Sequence, residues 1–371
     1  MESFEGSTLV RQDIAKMEAY SPILPFEVLS DQLGRPPQAI TKLDANENPY
    51  GPSPAATAAA GSGDWFHIYP DPEVRAMRTE LSKHLHVPKE RLLAGMGADE
   101  LIDLILRALL SPGDGVINCP PSFGMYPFST AVNGGQIISV PRGADFSLDV
   151  KGIESAVARN PAAKVLFICS PNNPDGSCIG DEALRLLLDL PLLLVLDEAY
   201  IEFAAEDGQH SRFDWALEHN NLAVLRTFSK LAGLAGLRVG YGIFPTWLLP
   251  HLWKIKQPYN VNVAASSAAL ASLLEPAWME DKVKRIVQER KRMVAELARF
   301  QFLQPFPSYS NFVLFRVSGR SAAQLKQALA QEGVLVRYFD KAGLANCIRI
   351  SAGRPADTDR LVQALSKVTQ T

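Results

Sequence analysis

Residues 226–242, which read RTFSKLAGLAGLRVGYG, are the stretch around which the sequence is organised. A short run of β-forming residues, 222–228 (LAVLRTF), leads into the adjacent pair Ser229 and Lys230. Four glycines and Arg238 follow, and glycines allow a backbone to approach a bulky group closely or to adopt positive φ. Since burying an ammonium at a strand end is costly, this lysine indicates an imine-forming amine beside a phosphate site.

Short apolar strands alternate with helices on both sides of this stretch. The apolar runs predict strands at 116–119, 136–140, 164–169, 192–196, 222–228 and 239–244. Asp71 and Pro72 predict the capped start of an earlier helix. The alternation predicts an α/β fold with a mostly parallel sheet covered by helices, whose active site lies at strand ends.

The pattern changes after residue 258. Helical periodicity covers 263–274 and 279–300, and strands NFVLFRV, VLVRYF and CIRIS follow with helices between them. The basic cluster of 282–292 predicts a solvated helix face. A chain of 371 residues is long enough for two domains. We expect a large domain at 45–260 and a smaller α+β domain formed by 1–44 together with 261–371.

The bulk composition limits the possible partners. The net charge is −3, and no apolar run approaches the roughly 18–20 residues of a membrane span, so we expect neither a nucleic-acid nor a membrane partner. The four scattered cysteines have no CxxC pair, which predicts reduced thiols and no metal site. No secretory signal is present, so we expect a cytoplasmic protein, or a plastid-stromal one if a transit peptide has been removed.

Four segments follow predicted strands of the large domain, where a site should form. They are GMGADE (95–100), SPNNPDG (170–176), LDEAYIEF (196–203) and the Ser-Lys stretch. Each segment has an ordinary alternative. GMGADE could be a simple helix start or half of a dinucleotide fingerprint, and SPNNPDG a surface turn. The acids of LDEAYIEF could form an ion pair, and the lysine of the Ser-Lys stretch could be structural. Pyridoxal phosphate needs the whole set, because an amine, a carboxylate for the pyridinium proton and phosphate-binding amides must meet.

The motifs also carry a family resemblance, from about Tyr20 to Ser351. GADE, CPPSFGMY, SPNNPDG, DEAYIEF, RTFSK and GLAGLRVGYG stand in the order of the fold-type-I aminotransferases. With LDANENPYGPSP (43–54), the chain resembles the histidinol-phosphate aminotransferase family. Asp175 departs from the common threonine, as in plant, algal and some bacterial members. The resemblance implies a seven-stranded large sheet and pyridoxal 5'-phosphate as cofactor.

The resemblance also implies site residues. Lys230 would hold the cofactor covalently and act as general base and acid, and Asp197 would pair with the ring nitrogen. Asn173 and Tyr200 would contact the 3′-oxygen of the cofactor, and Phe123 would stack on its ring. The phosphate would be bound by Ser229, Arg238 and the amides of Ala98 and Asp99. Tyr69 matches a tyrosine that reaches the phosphate of the other subunit, which implies a homodimer with shared sites.

The expected substrate contacts are Arg349, Arg337, Tyr20, Asn46 and Asn173. The two arginines lie near strand ends among apolar residues, where a guanidinium needs an anion or an internal salt bridge. The implied reaction is transamination of L-histidinol phosphate with 2-oxoglutarate, giving imidazole acetol phosphate and L-glutamate in histidine biosynthesis. An aromatic aminotransferase, a threonine-phosphate decarboxylase and a non-catalytic module that binds the cofactor remain as alternatives, and so does an NAD-dependent dehydrogenase.

Overall fold

The computed structural model describes residues 9–19 and 24–370 and contains two β-sheets covered by helices. The strands are β1 (Thr41–Leu43), β2 (Leu92–Gly95), β3 (Gly115–Asn118), β4 (Gln136–Ser139), β5 (Ala163–Cys169), β6 (Leu193–Asp197), β7 (Leu222–Thr227), β8 (Gly240–Ile243), β9 (Leu303–Pro305), β10 (Phe312–Val317), β11 (Val334–Tyr338) and β12 (Cys347–Ser351). The helices are α1 (Gln12–Ala15), α2 (Phe26–Leu33), α3 (Pro54–Gly61), α4 (Arg75–Leu85), α5 (Gly97–Leu109), α6 (Met125–Val132), α7 (Val150–Arg159), α8 (Asp181–Leu188), α9 (Phe213–Glu218), α10 (Leu249–Ile255), α11 (Val263–Leu273), α12 (Pro276–Leu297), α13 (Ala322–Gln331) and α14 (Pro355–Gln370).

The larger sheet has seven strands within the described residues, in the order β2-β8-β7-β6-β5-β3-β4. The neighbours from β7 to β4 pair in parallel, and β8 runs antiparallel to both β7 and β2. The predicted α/β fold with a mostly parallel seven-stranded sheet is confirmed. Its central strands are buried along their whole length, as expected for a sheet with helices on both faces.

Helices cover both faces of this sheet. On one face α4, α7, α8 and α11 contribute to the apolar core, and on the other α5, α6 and α10 do. Helix α5 buries Leu101, Ile102 and Ile105 completely. Each such side chain contributes roughly 1.5–3 kcal/mol through removal from water, so α5 is fixed firmly over the sheet with its N-terminus at the strand ends.

The smaller sheet has the order β1-β11-β12-β10-β9 in the described part of the chain. Strand β1, from the N-terminal region, pairs in parallel with β11, and the other pairs are antiparallel. Helix α11 lies beyond the expected boundary at 260 yet packs in the core of the large sheet. The division into domains at 45 and 260 remains a prediction.

Two local expectations were wrong. Helix α4 begins at Arg75, because Asp71 caps a preceding turn by accepting from the amides of Glu73 and Arg75. The basic cluster of α12 is not entirely solvated: Arg290 is buried, pairs with Asp207 and donates to the carbonyl of Ser310 at 2.8 Å. None of the helices in the described ranges is both long and apolar enough for a membrane span.

A buried ionic cluster fastens β7 to the segment after β6. The guanidinium of Arg226 pairs with Glu202 and, at 3.5 Å, with Glu198, and it lies 4.8 Å from the ring centre of Phe213. Burial raises the pKa of Glu198, and the neighbouring arginine opposes this shift. The cluster holds β7, which leads to Lys230, against β6, which ends in Asp197.

Replacing Arg226 with alanine should therefore destabilise the protein strongly. The variant Arg226→Ala leaves two carboxylates without their buried cation, and we expect a loss of about 3–5 kcal/mol in the free energy of unfolding. The surface variant Arg299→Ala, which removes only an exposed pair with Glu296, should change it by no more than about 1 kcal/mol. Denaturant unfolding of both variants provides the comparison, and equal losses would contradict a structural role of the cluster.

Candidate active site

The four strand-end motifs meet at one edge of the large sheet. The segments after β5, β6 and β7 and the N-terminus of α5 surround a cavity of about 550 Å³. The predicted side chains on its wall are Phe123, Asn173, Asp197, Tyr200, Ser229, Lys230 and Arg238, and Ala98 and Asp99 also line it. The parallel strands explain this convergence, because their carboxyl ends lie at the same edge.

Lys230 projects into this cavity from the end of β7. Its Nζ donates to the carbonyl of Ala45 at 3.4 Å and lies 5.7 Å from the ring centre of Tyr200. Burial, together with the nearby charge of Arg349, lowers the pKa of Lys230 to about 8. A lowered pKa makes the uncharged amine available as a nucleophile near neutral pH.

Asp197 is the carboxylate at the end of β6. It is 3% exposed, and its Oδ2 accepts from the hydroxyl of Tyr126 at 2.7 Å while its Oδ1 accepts from the amide of Ala199 at 3.1 Å. Burial raises the pKa of Asp197 to about 6. Within the described residues it has no ion-pair partner, so it faces the cavity as a buried acid that a cation would stabilise.

Glu198, the next residue, points the other way and pairs with Arg226. Adjacent residues of an extended chain project to opposite sides, so only one of the two carboxylates can face the cavity. The ion-pair interpretation of this acidic pair therefore applies to Glu198, while the pairing of Asp197 with a ring nitrogen stays a prediction.

A candidate anion-binding cradle lies at the N-terminus of α5. Arg238, at φ +53°, donates to the carboxylate of Asp99 at 2.9 Å and to Oγ of Ser229 at 3.4 Å. A Cβ added to Gly97 would come within 2.7 Å of the Arg238 guanidinium, and one added to Gly240 within 2.7 Å of the amide nitrogen of Ala98. The glycines thus allow the helix amides and the arginine to approach the same point, where a phosphate fits.

Hydrogen bonds join the N-terminal, central and C-terminal parts of the chain around the cavity. The hydroxyl of Tyr200 accepts from the side-chain amide of Asn46 at 3.2 Å. Arg349 donates to Oδ1 of Asn173 at 2.6 Å and to the carbonyl of Asp44 at 2.7 Å. The hydroxyl of Ser351 accepts from the backbone amide of Asn46 at 2.9 Å and donates to Oδ1 of Asn46 at 3.0 Å. Asn46 and Arg349 are therefore brought to the site, as expected.

Arg337 lies beside this group in a second cavity of about 700 Å³. This cavity adjoins the first and shares Ala45, Phe123, Asn173, Tyr200 and Lys230 with it. The ring of Phe123 forms part of both walls and stands perpendicular to the ring of Tyr126, with 5.6 Å between centroids.

One expected residue, Tyr69, does not line either cavity. Tyr69 is 78% exposed and stacks on Tyr259 at 4.7 Å, on a separate patch of surface. Tyr20 lies outside the described residues, so its expected substrate contact stays a prediction.

Tyr126 is a site residue that sequence reasoning missed. It is fully buried, stacks on Phe167 at 4.7 Å and donates to Asp197. Burial raises its pKa, and the carboxylate of Asp197 adds to this shift. A tyrosine in an apolar helix needs a partner for its hydroxyl, which was the signal available in the segment CPPSFGMY. The described residues contain no cluster of His, Cys, Asp and Glu suited to a metal ion.

Comparison with known proteins gives one consistent result. A family model described as aminotransferase class I and II matches residues 38–365. The chain is 52% identical to the chloroplastic histidinol-phosphate aminotransferase of Nicotiana plumbaginifolia, over 97% of this chain and 86% of the relative. It is 48% identical to the histidinol-phosphate aminotransferase of Roseiflexus castenholzii, over 97% and 98% of the two chains.

A solved structure agrees with this result. The crystal structure of histidinol-phosphate aminotransferase from Sinorhizobium meliloti in complex with pyridoxal-5'-phosphate superposes with a TM-score of 0.88 at 29% identity, covering 100% of this chain and 99% of the other. The sequence matches and the shared architecture lead to one conclusion: the chain belongs to the class I and II aminotransferase family.

Proposed function

We propose that this protein is a histidinol-phosphate aminotransferase dependent on pyridoxal 5'-phosphate. It transfers an amino group between L-histidinol phosphate and 2-oxoglutarate in histidine biosynthesis. The similarity to relatives of that name in plants and bacteria supports the substrate. The observation that carries the chemistry is the pairing, in one cavity, of a buried acid without a cation and a buried lysine with a lowered pKa.

The cavity fits the cofactor in three separate places. Asp197 would hold the protonated ring nitrogen, which would also relieve its own unfavourable burial. The cradle of Ser229, Arg238 and the α5 amides would take the phosphate. Phe123 would cover the ring face, and Asn173 and Tyr200 would contact the 3′-oxygen. The bound cofactor supplies an electron sink for charge that develops at the substrate carbon.

Lys230 would serve as both attachment point and proton carrier. Its amine is uncharged in a substantial fraction of molecules near pH 8, so it can take a proton from the substrate carbon and return it. Burial of Nζ and the nearby charge of Arg349 keep its pKa low. Tyr126 would keep Asp197 oriented towards the ring while this proton moves.

The substrate anions are assigned to the arginines of the smaller sheet. Arg349 is fixed by Asn173 and Asp44 with its guanidinium at the cavity wall, which supports a role in gripping a carboxylate or phosphate. Arg337 lines the same wall from β11. Asn46 would close the site beside Tyr200.

We also propose a homodimer with shared sites. Tyr69 lies on a surface that exposes several large apolar side chains: Trp65, Phe66, Ile68 and Tyr259. Such a patch on a monomer is typical of a protein interface. A second copy could cover it and receive Tyr69 at its own phosphate cradle. Sedimentation of the purified protein as a monomer would contradict this assignment.

The compartment is either the cytoplasm or the plastid stroma. The plant relatives named chloroplastic support the second possibility, and the Roseiflexus relative carries no such label. Imaging of the full-length protein in its native cell would decide between them.

Substrate choice is tested by steady-state kinetics. We expect the kcat/KM for histidinol phosphate, with 2-oxoglutarate as acceptor, to exceed the kcat/KM for phenylalanine clearly. Threonine phosphate should not be decarboxylated, and no nicotinamide should be required. A higher kcat/KM for phenylalanine, or decarboxylation of threonine phosphate, would show that the proposed substrate is wrong.

The role of Lys230 is tested by removing its amine. Lys230→Ala should lower turnover by at least about 1000-fold, since both cofactor attachment and proton transfer depend on this group. The variant should still bind pyridoxal phosphate, but borohydride should leave no cofactor attached in the mass spectrum. Lys256→Ala, at a buried lysine outside the cavity, is the matched control and should retain the covalent link. Borohydride-fixed cofactor on Lys230→Ala would remove the lysine from its role.

A further inference from the structure

Asn46 follows β1 on a short segment beside the two cavities. Its backbone adopts the left-handed conformation, with φ at +55°. A residue other than glycine is uncommon at positive φ and carries a cost, although asparagine tolerates this conformation better than most residues do. The side chain is 1% exposed and lines the second cavity. A strained residue in such a place persists because the surrounding contacts hold it there.

Every polar group of Asn46 has a partner. Its backbone amide donates to Oγ of Ser351 at 2.9 Å, and its carbonyl accepts from the side-chain amide of Asn311 at 2.9 Å. Its Oδ1 accepts from the hydroxyl of Ser351 at 3.0 Å, and its Nδ2 donates to the hydroxyl of Tyr200 at 3.2 Å. Ser351, at the end of β12, and Asn311, just before β10, thus fix both the backbone and the side chain of Asn46.

The direction of the Asn46 amide decides where the proton of the Tyr200 phenol can go. Because Ser351 donates to Oδ1, the NH₂ group is the part of the amide that faces Tyr200. The phenol oxygen accepts this hydrogen bond, so its own proton stays available for an acceptor in the cavities, both of which Tyr200 lines. With the amide turned over, Oδ1 would take the phenol proton instead.

The ring of Tyr200 is supported by the same two strands. It is 5% exposed and stands perpendicular to the ring of Phe312, with 5.2 Å between centroids. Phe312 follows Asn311 in the chain and is the partner of Ser351 in the pairing of β10 with β12. Burial raises the pKa of the phenol, so the hydroxyl keeps its proton near neutral pH. The ring and the amide that donates to its hydroxyl are therefore both positioned from these strand ends.

Asn311 is itself firmly held, although it lines neither of the two cavities. Its side chain is completely buried. The carbonyl of the preceding residue, Ser310, accepts from the guanidinium of Arg290 at 2.8 Å, and Arg290 is paired with Asp207. The buried ion pair thus fixes the segment before β10. Asn311 is a rigid support from which a hydrogen bond can set the position of Asn46.

We propose that Asn311 and Ser351 are positioning residues for the cofactor site. They hold Asn46 so that the phenol of Tyr200 donates its hydrogen bond to the 3′-oxygen of the cofactor. This inference deepens the proposed function and rests on its placement of Tyr200 against that oxygen. Buried polar groups that merely satisfy each other are the ordinary alternative. That alternative predicts lower stability on substitution, but no change in the titration of the bound cofactor.

The first test is a pH titration of the visible absorbance of the holoenzyme. A hydrogen bond donated to the 3′-oxygen favours the form of the cofactor that has lost its titrating proton, so a weaker bond raises the midpoint. Ser351→Ala removes one oxygen, and Asn311→Leu keeps the size of the side chain but not its donor. Each should raise the midpoint by about half a pH unit or more.

An unchanged midpoint in both variants would overturn the proposal. If Asn311→Leu does not fold, Ser351→Ala decides the outcome alone, because it removes a single atom from a strand end.

Two control variants remove comparable groups away from the site. Ser272→Ala removes a buried hydroxyl that donates to the carbonyl of Ala268 within α11. Asn221→Leu removes a side-chain amide that donates to the carbonyl of Leu188 at the start of β7. The midpoint should not move in either control. A shift as large as that of Ser351→Ala would mean that destabilisation alone moves the midpoint, which would also overturn the proposal.

A double-mutant comparison asks whether the effect passes through the phenol. Tyr200→Phe should raise the midpoint at least as much as Ser351→Ala or Asn311→Leu does. Added to Tyr200→Phe, either substitution should change the midpoint little further, because residues that act through one group are not additive. Full additivity would show that Asn46 affects the cofactor by another route and would contradict the assignment.

A spectroscopic measurement separates this inference from the proposed reaction. The full chain is labelled with ¹³C at the tyrosine Cζ, and the Tyr200 signal is assigned with Tyr200→Phe. With and without pyridoxal phosphate, this signal should move in Ser351→Ala and Asn311→Leu but not in Asn221→Leu. If histidinol phosphate is not turned over and this pattern is present, the proposed substrate is wrong and the positioning role stands. A signal that stays in place in both variants overturns the positioning role whatever the turnover.

Discussion

A buried carboxylate without a cation is the constraint on which the site depends. Asp197 stands at the end of β6, in the middle of the large sheet. The hydroxyl of Tyr126 and the amide of Ala199 donate to it, and Lys230 attracts it without forming an ion pair within the described residues. Because burial raises its pKa to about 6, the folded protein binds this proton more tightly than the unfolded chain. Its contribution to stability therefore falls as pH rises from about 4 to about 6, the opposite of an ordinary salt-bridged aspartate. A protonated ring nitrogen placed against Asp197 would remove this penalty, so the same carboxylate that costs stability in the free protein favours the cofactor when it binds.

Burial also favours the uncharged form of Lys230, which follows the neighbouring strand, and for an amine this lowers the pKa. Burial and the field of Arg349 bring the pKa of Lys230 down to about 8, which gives the uncharged amine that covalent attachment and proton transfer both need. The parallel pairing of β6 with β7 brings the acid and the amine to one sheet edge, and the Arg226 cluster fastens these strands behind the site. From the other side, Asn46 and Arg349 belong to segments joined to the smaller sheet. The substrate end of the cavity is thus built where both sheets meet, while the residues proposed to contact the cofactor follow strands of the large sheet or begin α5.

Much of this arrangement could be predicted from sequence, and the exceptions have physical causes. The large-sheet strands expected from apolar runs agree with the structure within one or two residues, since a strand buried on both faces has an unmistakable composition. Local sequence did not reveal which of Asp197 and Glu198 faces the cavity, because this depends on the register of β6 against β7. Tyr126 and Arg290 were missed as buried polar residues, since their partners Asp197 and Asp207 are distant in sequence.

The central claim is that Asp197 lacks a cationic partner until the cofactor supplies one. Its most direct test is a carboxyl-carbon NMR titration of protein labelled with ¹³C at the aspartate side chains, with the Asp197→Asn spectrum to assign the signal. In the cofactor-free protein the Asp197 resonance should titrate with a pKa near 6, and after addition of pyridoxal phosphate it should remain in its ionised position down to a clearly lower pH. A pKa close to the ordinary aspartate value of about 3.9 in the cofactor-free protein, or no change on adding the cofactor, would contradict the account.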